Sequence, residues 1–293
     1  MVELICHPGV KRIEWEAFCE CRSLKRIVIP GVRFIESYAF QGCNHFTDIE
    51  CGMLERIGSY AFHNCKSLTS LNLLAVKSVG VGAFGGCEQL RDIIFSSNLE
   101  SIKGVAFHRC SSLQRLTIPL KTDLIDIGAE HFDACYRCTS LSHIDLVEKE
   151  VLSKTVATLL KEEWKDDMNR EIDSIKNILP NTLAGPLPGE DFQHFAGEKG
   201  RVVQEWMENV LRKVIYYKAE HNRSLKVAAT ALQPSLPNDI VMKNVIPFLD
   251  LPSHMFEWED EVVEESNGTD NGDDSNSKDD NGERKRRRLG TKI

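Results

Sequence analysis

The chain has 293 residues, 27% of them charged, and a formal net charge of −8. That balance argues against a polyanion-binding protein, and no apolar run approaches the roughly 20 residues of a membrane span. The stretch from Met1 to Trp15 lacks the basic start and apolar core of a secretory signal. All ten cysteines lie between Cys6 and Cys138, so free thiols in a reducing compartment are expected.

Met1 to Val10 reads as the tail of a repeating unit. Ile5, Pro8 and Val10 take the register of Ile27, Pro30 and Val32. A solenoid is therefore expected to begin mid-unit, with its first strand an exposed edge, or the sequence to be short at its start. The units that follow align on an aromatic: Phe18, Phe40, Phe62, Phe84, Phe107 and Phe132, spaced 22, 22, 22, 23 and 25 residues. A cysteine follows three places later at Cys21, Cys43, Cys65, Cys87, Cys110 and Cys135. A period in the low twenties marks a stack in which one unit cannot bury its apolar face alone.

Each unit divides into three parts. The first is a short strand such as Leu24 to Ile29. The second is an extended piece ending in an apolar pair: Val32 with Ile35, Leu54 with Ile57, Val76 with Val79, Leu99 with Ile102. The third is a compact helical turn carrying Ala-Phe-x-x-Cys. Alternation in the strand turns Ile27 and Ile29 inward and Arg26 and Val28 outward. Equivalent residues then stack into columns, one being Ile27, Ile49, Leu71, Ile93, Leu116 and Ile144.

The repeated string I-x-x-x-A-F-x-x-C-x-S-L-x-x-I-x-I/L resembles the BspA-type leucine-rich repeats over residues 5 to 147. The resemblance implies a solenoid with parallel strands, and interaction or adhesion in place of chemistry. The last copy departs from the motif, with His131-Phe132 in place of Ala-Phe and three extra residues between Cys135 and Leu141.

Beyond Val147 the pattern changes. Trp164, Met168, Ile172, Ile175 and Leu179 line one face of an amphipathic helix that Pro180 ends. Residues 181–197 read as a loop. A second helix runs from about Glu198 to Leu232, with Val203, Trp206, Met207, Val210, Val214 and Tyr217 as its stripe. The two are expected to cap the solenoid as an antiparallel pair, or else to form a separate docking hairpin. The string from Trp206 to His221 resembles the helical tail of repeat proteins from diatom-like algae.

Leu236 to Ser253 reads as a short helix between prolines, and its stretch 236–252 carries a further resemblance. It is similar to the opening of an F-box, which implies docking to a ubiquitin-ligase adaptor. From Glu257 the composition turns acidic and polar, and disorder is expected. The division is thus 1–147 solenoid, 148–232 two long helices, 233–256 short helix, and 257–293 acidic tail. Near the end Arg284, Lys285, Arg286, Arg287 and Arg288 resemble a nuclear localisation signal, which implies an importin-type receptor and a nuclear address.

Three strings suggest chemistry and fail on context. Cys135 and Cys138 form a C-x-x-C, but no second ligand pair stands at a matching spacing. Gly80 to Gly85 fits G-x-G-x-x-G, yet its Ala-Phe belongs to the repeat and no βαβ unit surrounds it. The cysteine column sits at bridging distance, but stacked side chains point parallel, so it reads as buried thiols. His63 and His108 read as surface. No enzyme, metal or cofactor is expected, and nucleic acid is not expected as a partner.

The outward strand positions remain as a binding face. One column holds Arg26, Asp48, Ser70, Asp92 and Arg115. Its neighbour holds Val28, Glu50, Asn72, Ile94 and Thr117. Mixed charge with exposed aliphatics suits a protein partner better than a phosphate backbone. The chain is expected to be an intracellular interaction module. An F-box-like adaptor acting through 236–252 and a surface adhesion protein are the alternatives.

Overall fold

The computed structural model describes residues 2–125, 134–183 and 199–232, all within one compact unit. The expected helix at 233–256, the acidic tail and the basic run Arg284–Arg288 lie outside the described residues, as does Phe132. Among the described residues, parallel strands stack into a solenoid and three helices follow it.

All but the last two described copies contribute a long strand and a two-residue strand. The long strands are β1 (Val2–Ile5), β3 (Leu24–Val28), β5 (Asp48–Glu50), β7 (Ser70–Leu73), β9 (Asp92–Phe95), β11 (Arg115–Ile118) and β12 (His143–Leu146). The short ones are β2 (Arg12–Ile13), β4 (Phe34–Ile35), β6 (Arg56–Ile57), β8 (Ser78–Val79) and β10 (Ser101–Ile102). The short strands make one continuous parallel ladder. The long strands make two, β1-β3-β5 and β7-β9-β11-β12, with no ladder pairing between β5 and β7.

Register follows the repeat. Ile27 stands opposite Ile49, Leu71 opposite Ile93, and Leu116 between Ile93 and Ile144. Inside, the rings of Phe18, Phe40, Phe62, Phe84 and Phe107 stack at 5.3, 5.4, 5.5 and 5.9 Å between centroids, within 8° of parallel. Such offset stacks add to the area each ring removes from water.

The turn that carries the aromatic is not helical. In every described copy the residue two places before the aromatic or two places after it has φ between 52° and 73°: Glu16, Tyr38, Tyr60, Gly82 and Val105 before, Glu20, Gly42, Asn64, Gly86 and Arg109 after. These left-handed residues rotate alternate N–H groups toward the next copy. Tyr38, Phe40 and Gly42 donate to the carbonyls of Ser59, Ala61 and His63 at 3.0, 2.8 and 2.8 Å. The backbone thus gains a third inter-copy hydrogen-bonded row where a helix would have satisfied itself internally.

Gly82 shows what the G-x-G-x-x-G string does. Its φ is +59°, and a Cβ there would meet Cε1 and Cδ1 of the Tyr60 ring at 2.5 and 2.7 Å. Gly82→Ala is therefore expected to cost about 2 kcal/mol in urea unfolding, combining left-handed strain with a ring that must move. Gly52→Ala, where a Cβ would meet nothing within 4 Å, is the control. A loss below about 0.5 kcal/mol at Gly82 would mean that Tyr60 simply swings aside.

Three local readings are corrected. In β1 it is Leu4, not Ile5, that faces Ile27; Ile5 stands opposite Val28 and is 68% exposed. A register shift in that strand moves its side chains to the other face, while Val10 keeps its place by donating to His7 O as Val32 does to Ile29 O. In the last copy, Phe107 N–H donates to Ala134 O as Phe84 N–H does to Ala106 O, and Cys138 N–H donates to Cys135 O as Cys110 N–H does to Phe107 O. Cys135 therefore takes the aromatic's register and Cys138 the thiol's, so the extra residues precede Ala134. The segment 148–181 holds two helices where one long one was expected: α1 (Lys149–Ala157) and α2 (Glu162–Asn181), the latter carrying the stripe from Trp164 to Leu179.

The last described helix, α3 (Lys199–Leu232), runs antiparallel to α2. Trp206 Nε1 donates to Glu171 O at 2.9 Å, and Tyr217 OH to Asp167 Oδ2 at 2.8 Å. The pair covers the far end of the solenoid. The buried Lys199 ammonium donates to the carbonyls of Leu141 and Thr139, and Ile125 N–H donates to Gln204 Oε1 at 3.2 Å. In earlier copies the carbonyl equivalent to Thr139 receives a donor from the next copy, such as Gln89 N–H on Lys66 O at 3.2 Å. Lys199 supplies that donor where the described strands stop. Helices α1, α2 and α3 share one apolar core with the repeats, so the cap reading holds over the docking hairpin.

Candidate interaction face

The long strands present one side to the core and the other to solvent. Ile27, Leu71, Ile93, Leu116 and Ile144 are buried, and the residues between them point outward. All ten expected face residues lie on these strands. Asp48, Glu50, Ser70, Asn72, Ile94 and Arg115 are exposed, while Arg26, Val28, Asp92 and Thr117 are half-buried. Ile94, at 41% exposure, is an exposed aliphatic among these ten, and Ile5 on β1, opposite Val28, is more exposed still.

The charges are not scattered. Arg26 on β3 hydrogen-bonds Glu3 on β1 at 2.7 Å, and Asp48 and Glu50 on β5 at 3.3 and 2.9 Å. Its affinity for the proton is raised above the ordinary guanidinium value, first by the bond to Glu3 and then by that to Asp48. Arg115 on β11 lies 3.8 Å from Asp92 on β9 and 2.9 Å from Asp145 on β12. Ion pairs this exposed are weak, screened by water and salt. They therefore do little to hold the fold, and a partner's charges can compete for them.

The opposite ladder has the reverse balance. Arg12 pairs with Glu36, and Arg33 with Glu55, which Lys77 also approaches at 3.6 Å. Glu55 is held below the usual carboxylate range, first by the hydrogen bond from Arg33. The guanidiniums of Arg12 and Arg33 lie 5.1 and 5.9 Å from the Phe34 ring centroid.

Sequence reasoning missed Glu3 as part of this face. The 22-residue period aligns Glu3 with Lys25, and only the register shift in β1 brings it opposite Arg26. His63 and His108 are half-buried, not surface. Burial lowers both toward the neutral form, His108 to about 4, with Arg109 adding to the effect. His63 lies edge-on to Tyr60 at 5.6 Å, and His108 against Tyr136 at 5.3 Å. Tyr60, His63 and Asn64 occupy the space that side chains at Gly82, Gly85 and Gly86 would need, so these rings fill the turn instead of lining a hollow.

The thiol column is a hydrogen-bonded row. Cys43, Cys65, Cys87, Cys110 and Cys138 each donate Sγ–H to the phenylalanine carbonyl of the preceding copy, at 3.2, 3.2, 3.2, 3.1 and 3.0 Å. All ten cysteines are free thiols. Among the described residues no helix is long and apolar enough to cross a membrane.

A stack of parallel strands with an inward apolar column and an outward polar one defines a repeat protein of the leucine-rich class. The model of the BspA type leucine rich repeat region matches in six copies over residues 2–75 and 55–155. The chain belongs to this family, whose members are generally non-enzymatic interaction or adhesion proteins. Helices α2 and α3 lie beyond the matched residues. Among solved structures the chain is similar to a leucine rich repeat protein of T. pallidum, with 26% identity and a TM-score of 0.44 over 49% of this chain and 68% of that one. It is also similar to a leucine rich cell surface protein of Faecalibacterium prausnitzii, with 22% identity and a TM-score of 0.37 over 50% and 47% of the two chains. The pneumococcal vaccine antigen PcpA gives 20% identity and a TM-score of 0.40 over 52% and 38%. The chain spans about two thirds of the first and under half of the other two. No curated protein matches it.

Proposed function

We propose that the chain is a non-enzymatic interaction module that holds a protein partner across its outward strand columns. One observation carries this reading. The two columns stand in register on strands whose other side is core, while α2 and α3 cover the solenoid's far end. A rigid surface with spaced polar groups and an exposed aliphatic gives shape and charge complementarity without loop ordering.

The test is affinity purification with the full chain and with Asp48→Arg/Asn72→Arg/Asp92→Arg. Loss of a partner by at least tenfold, with an unchanged melting temperature, is expected. A partner that stays with the triple variant and leaves when the exposed Ile215 and Tyr216 of α3 are replaced would overturn the reading.

A further inference from the structure

The strand face carries one charge motif twice. In the first, Arg26 is clamped between Glu3 on one neighbouring strand and Asp48 with Glu50 on the other, three carboxylates to one guanidinium. In the second, Arg115 lies between Asp92 and Asp145, two carboxylates to one guanidinium. Each arginine sits on the middle strand of its trio, β1-β3-β5 or β9-β11-β12. Between the trios lies β7, whose outward Ser70 and Asn72 are uncharged, with the exposed Ile94 beside them.

The two motifs thus leave a negative excess at each end of a neutral centre. From β3 to β11 is four strand steps. At about 4.8 Å per paired step, with the unpaired β5–β7 step slightly wider, the motif centres are about 20 Å apart. An extended chain rises about 3.3 Å per residue, so about six residues cover that distance. An acidic face repels phosphate backbones and attracts cationic side chains, and both effects weaken with salt.

Resting on the interaction reading above, we infer that this face binds an extended protein segment bearing two basic groups about six residues apart, with uncharged residues between them. The cations join the carboxylates that Arg26 and Arg115 leave under-neutralised. The uncharged middle of the segment lies over Ser70, Asn72 and Ile94. The chain's own basic run Arg284–Arg288 is a single block and lacks this spacing.

The test uses the full chain and three labelled peptides of one composition, each with two Lys-Arg pairs. The pair centres stand six residues apart, adjacent, or twelve apart. Fluorescence anisotropy at low salt is expected to show the six-residue spacing binding at least tenfold tighter than either other. Asp48→Asn/Glu50→Gln and Asp92→Asn/Asp145→Asn are each expected to remove about tenfold in affinity and to level the three peptides. Glu36→Gln on the opposite ladder should change nothing. Equal binding of all three peptides to the native chain would reduce the effect to diffuse attraction and overturn the proposal. So would a tenfold gain when Arg284–Arg288 are replaced by serine, which would make the chain's own tail the occupant. A partner lost from the arginine triple variant but indifferent to basic peptides would overturn this proposal and leave the interaction reading standing.

Discussion

Phe84→Ala is expected to lower the unfolding free energy by about 3–5 kcal/mol, the usual cost of emptying a buried aromatic site. Phe84 is fully buried, and its ring stacks on Phe62 at 5.5 Å and on Phe107 at 5.9 Å. The loss is therefore felt on both sides, and the backbone rows on either face of the copy limit how far the site can collapse. A solenoid is held copy to copy, so the damage falls on two interfaces and leaves the others intact. The expected signature is twofold. The urea midpoint drops, and amide exchange in residues 2–57 comes to report a lower opening energy than exchange around β11 and β12, which the helices brace. Phe84→Leu, which keeps most of the volume, should cost about 1.5 kcal/mol or less. An alanine variant that loses under about 1 kcal/mol would show that the phenylalanine column is decoration on a fold held by its strands.

The column was legible because in a parallel, in-register stack the sequence period equals the spatial neighbour. Phe62 and Phe84 are 22 residues apart and 5.5 Å between centroids for the same reason. The inward columns and the outward pairs Arg26 with Asp48 and Asp92 with Arg115 follow from that identity. It fails where the period is interrupted. In β1 a register shift puts Leu4 in Ile5's expected place and brings in Glu3. In the last copy the aromatic anchor misleads, because the position is set by the Ala134 carbonyl and the Cys138 thiol, and a cysteine fills the ring's register.

One further feature had no sequence signal. The left-handed turn positions are occupied by Glu, Tyr, Val, Asn and Arg as well as Gly, so residue type does not mark them. The inter-copy backbone row outweighs the strain of about 1–2 kcal/mol that each such residue carries. The interrupted pairing between β5 and β7 falls where the repeat departs from its pattern, with Cys51 in the place of Ile29, Leu73, Phe95 and Ile118, and Phe46 in that of Leu24 and Leu68. For the face, the sequence gives the columns. The grouping into two arginine-centred motifs requires knowing which strands sit in the middle of each trio.

The second large effect is expected at alkaline pH. Burial pushes the Cys43 and Cys87 thiols up to about 12 and holds Cys65 and Cys110 well above their ordinary value of 9.0. These thiols stay protonated in the folded chain while the unfolded chain ionises from about pH 9. Above that point the unfolded state binds fewer protons than the folded one, so stability falls as pH rises. Between pH 9 and 10 each such thiol removes about 1 kcal/mol, and the four together about 4 kcal/mol, a large part of a typical folding free energy. Lys199 works the other way. Burial lowers it from 10.5, so the unfolded state holds that proton longer and stability gains over the interval between the two values. One ammonium offsets at most a fraction of four thiols. Urea unfolding at pH 7, 9 and 10 under reducing conditions should therefore show a steep loss over the last interval. Cys65→Ala/Cys87→Ala should be less stable at pH 7, since two phenylalanine carbonyls lose their donors, yet should lose about 2 kcal/mol less between pH 9 and 10. Equal slopes for the two proteins would mean that the column ionises in place, and that its burial is looser than the hydrogen bonds to the phenylalanine carbonyls imply.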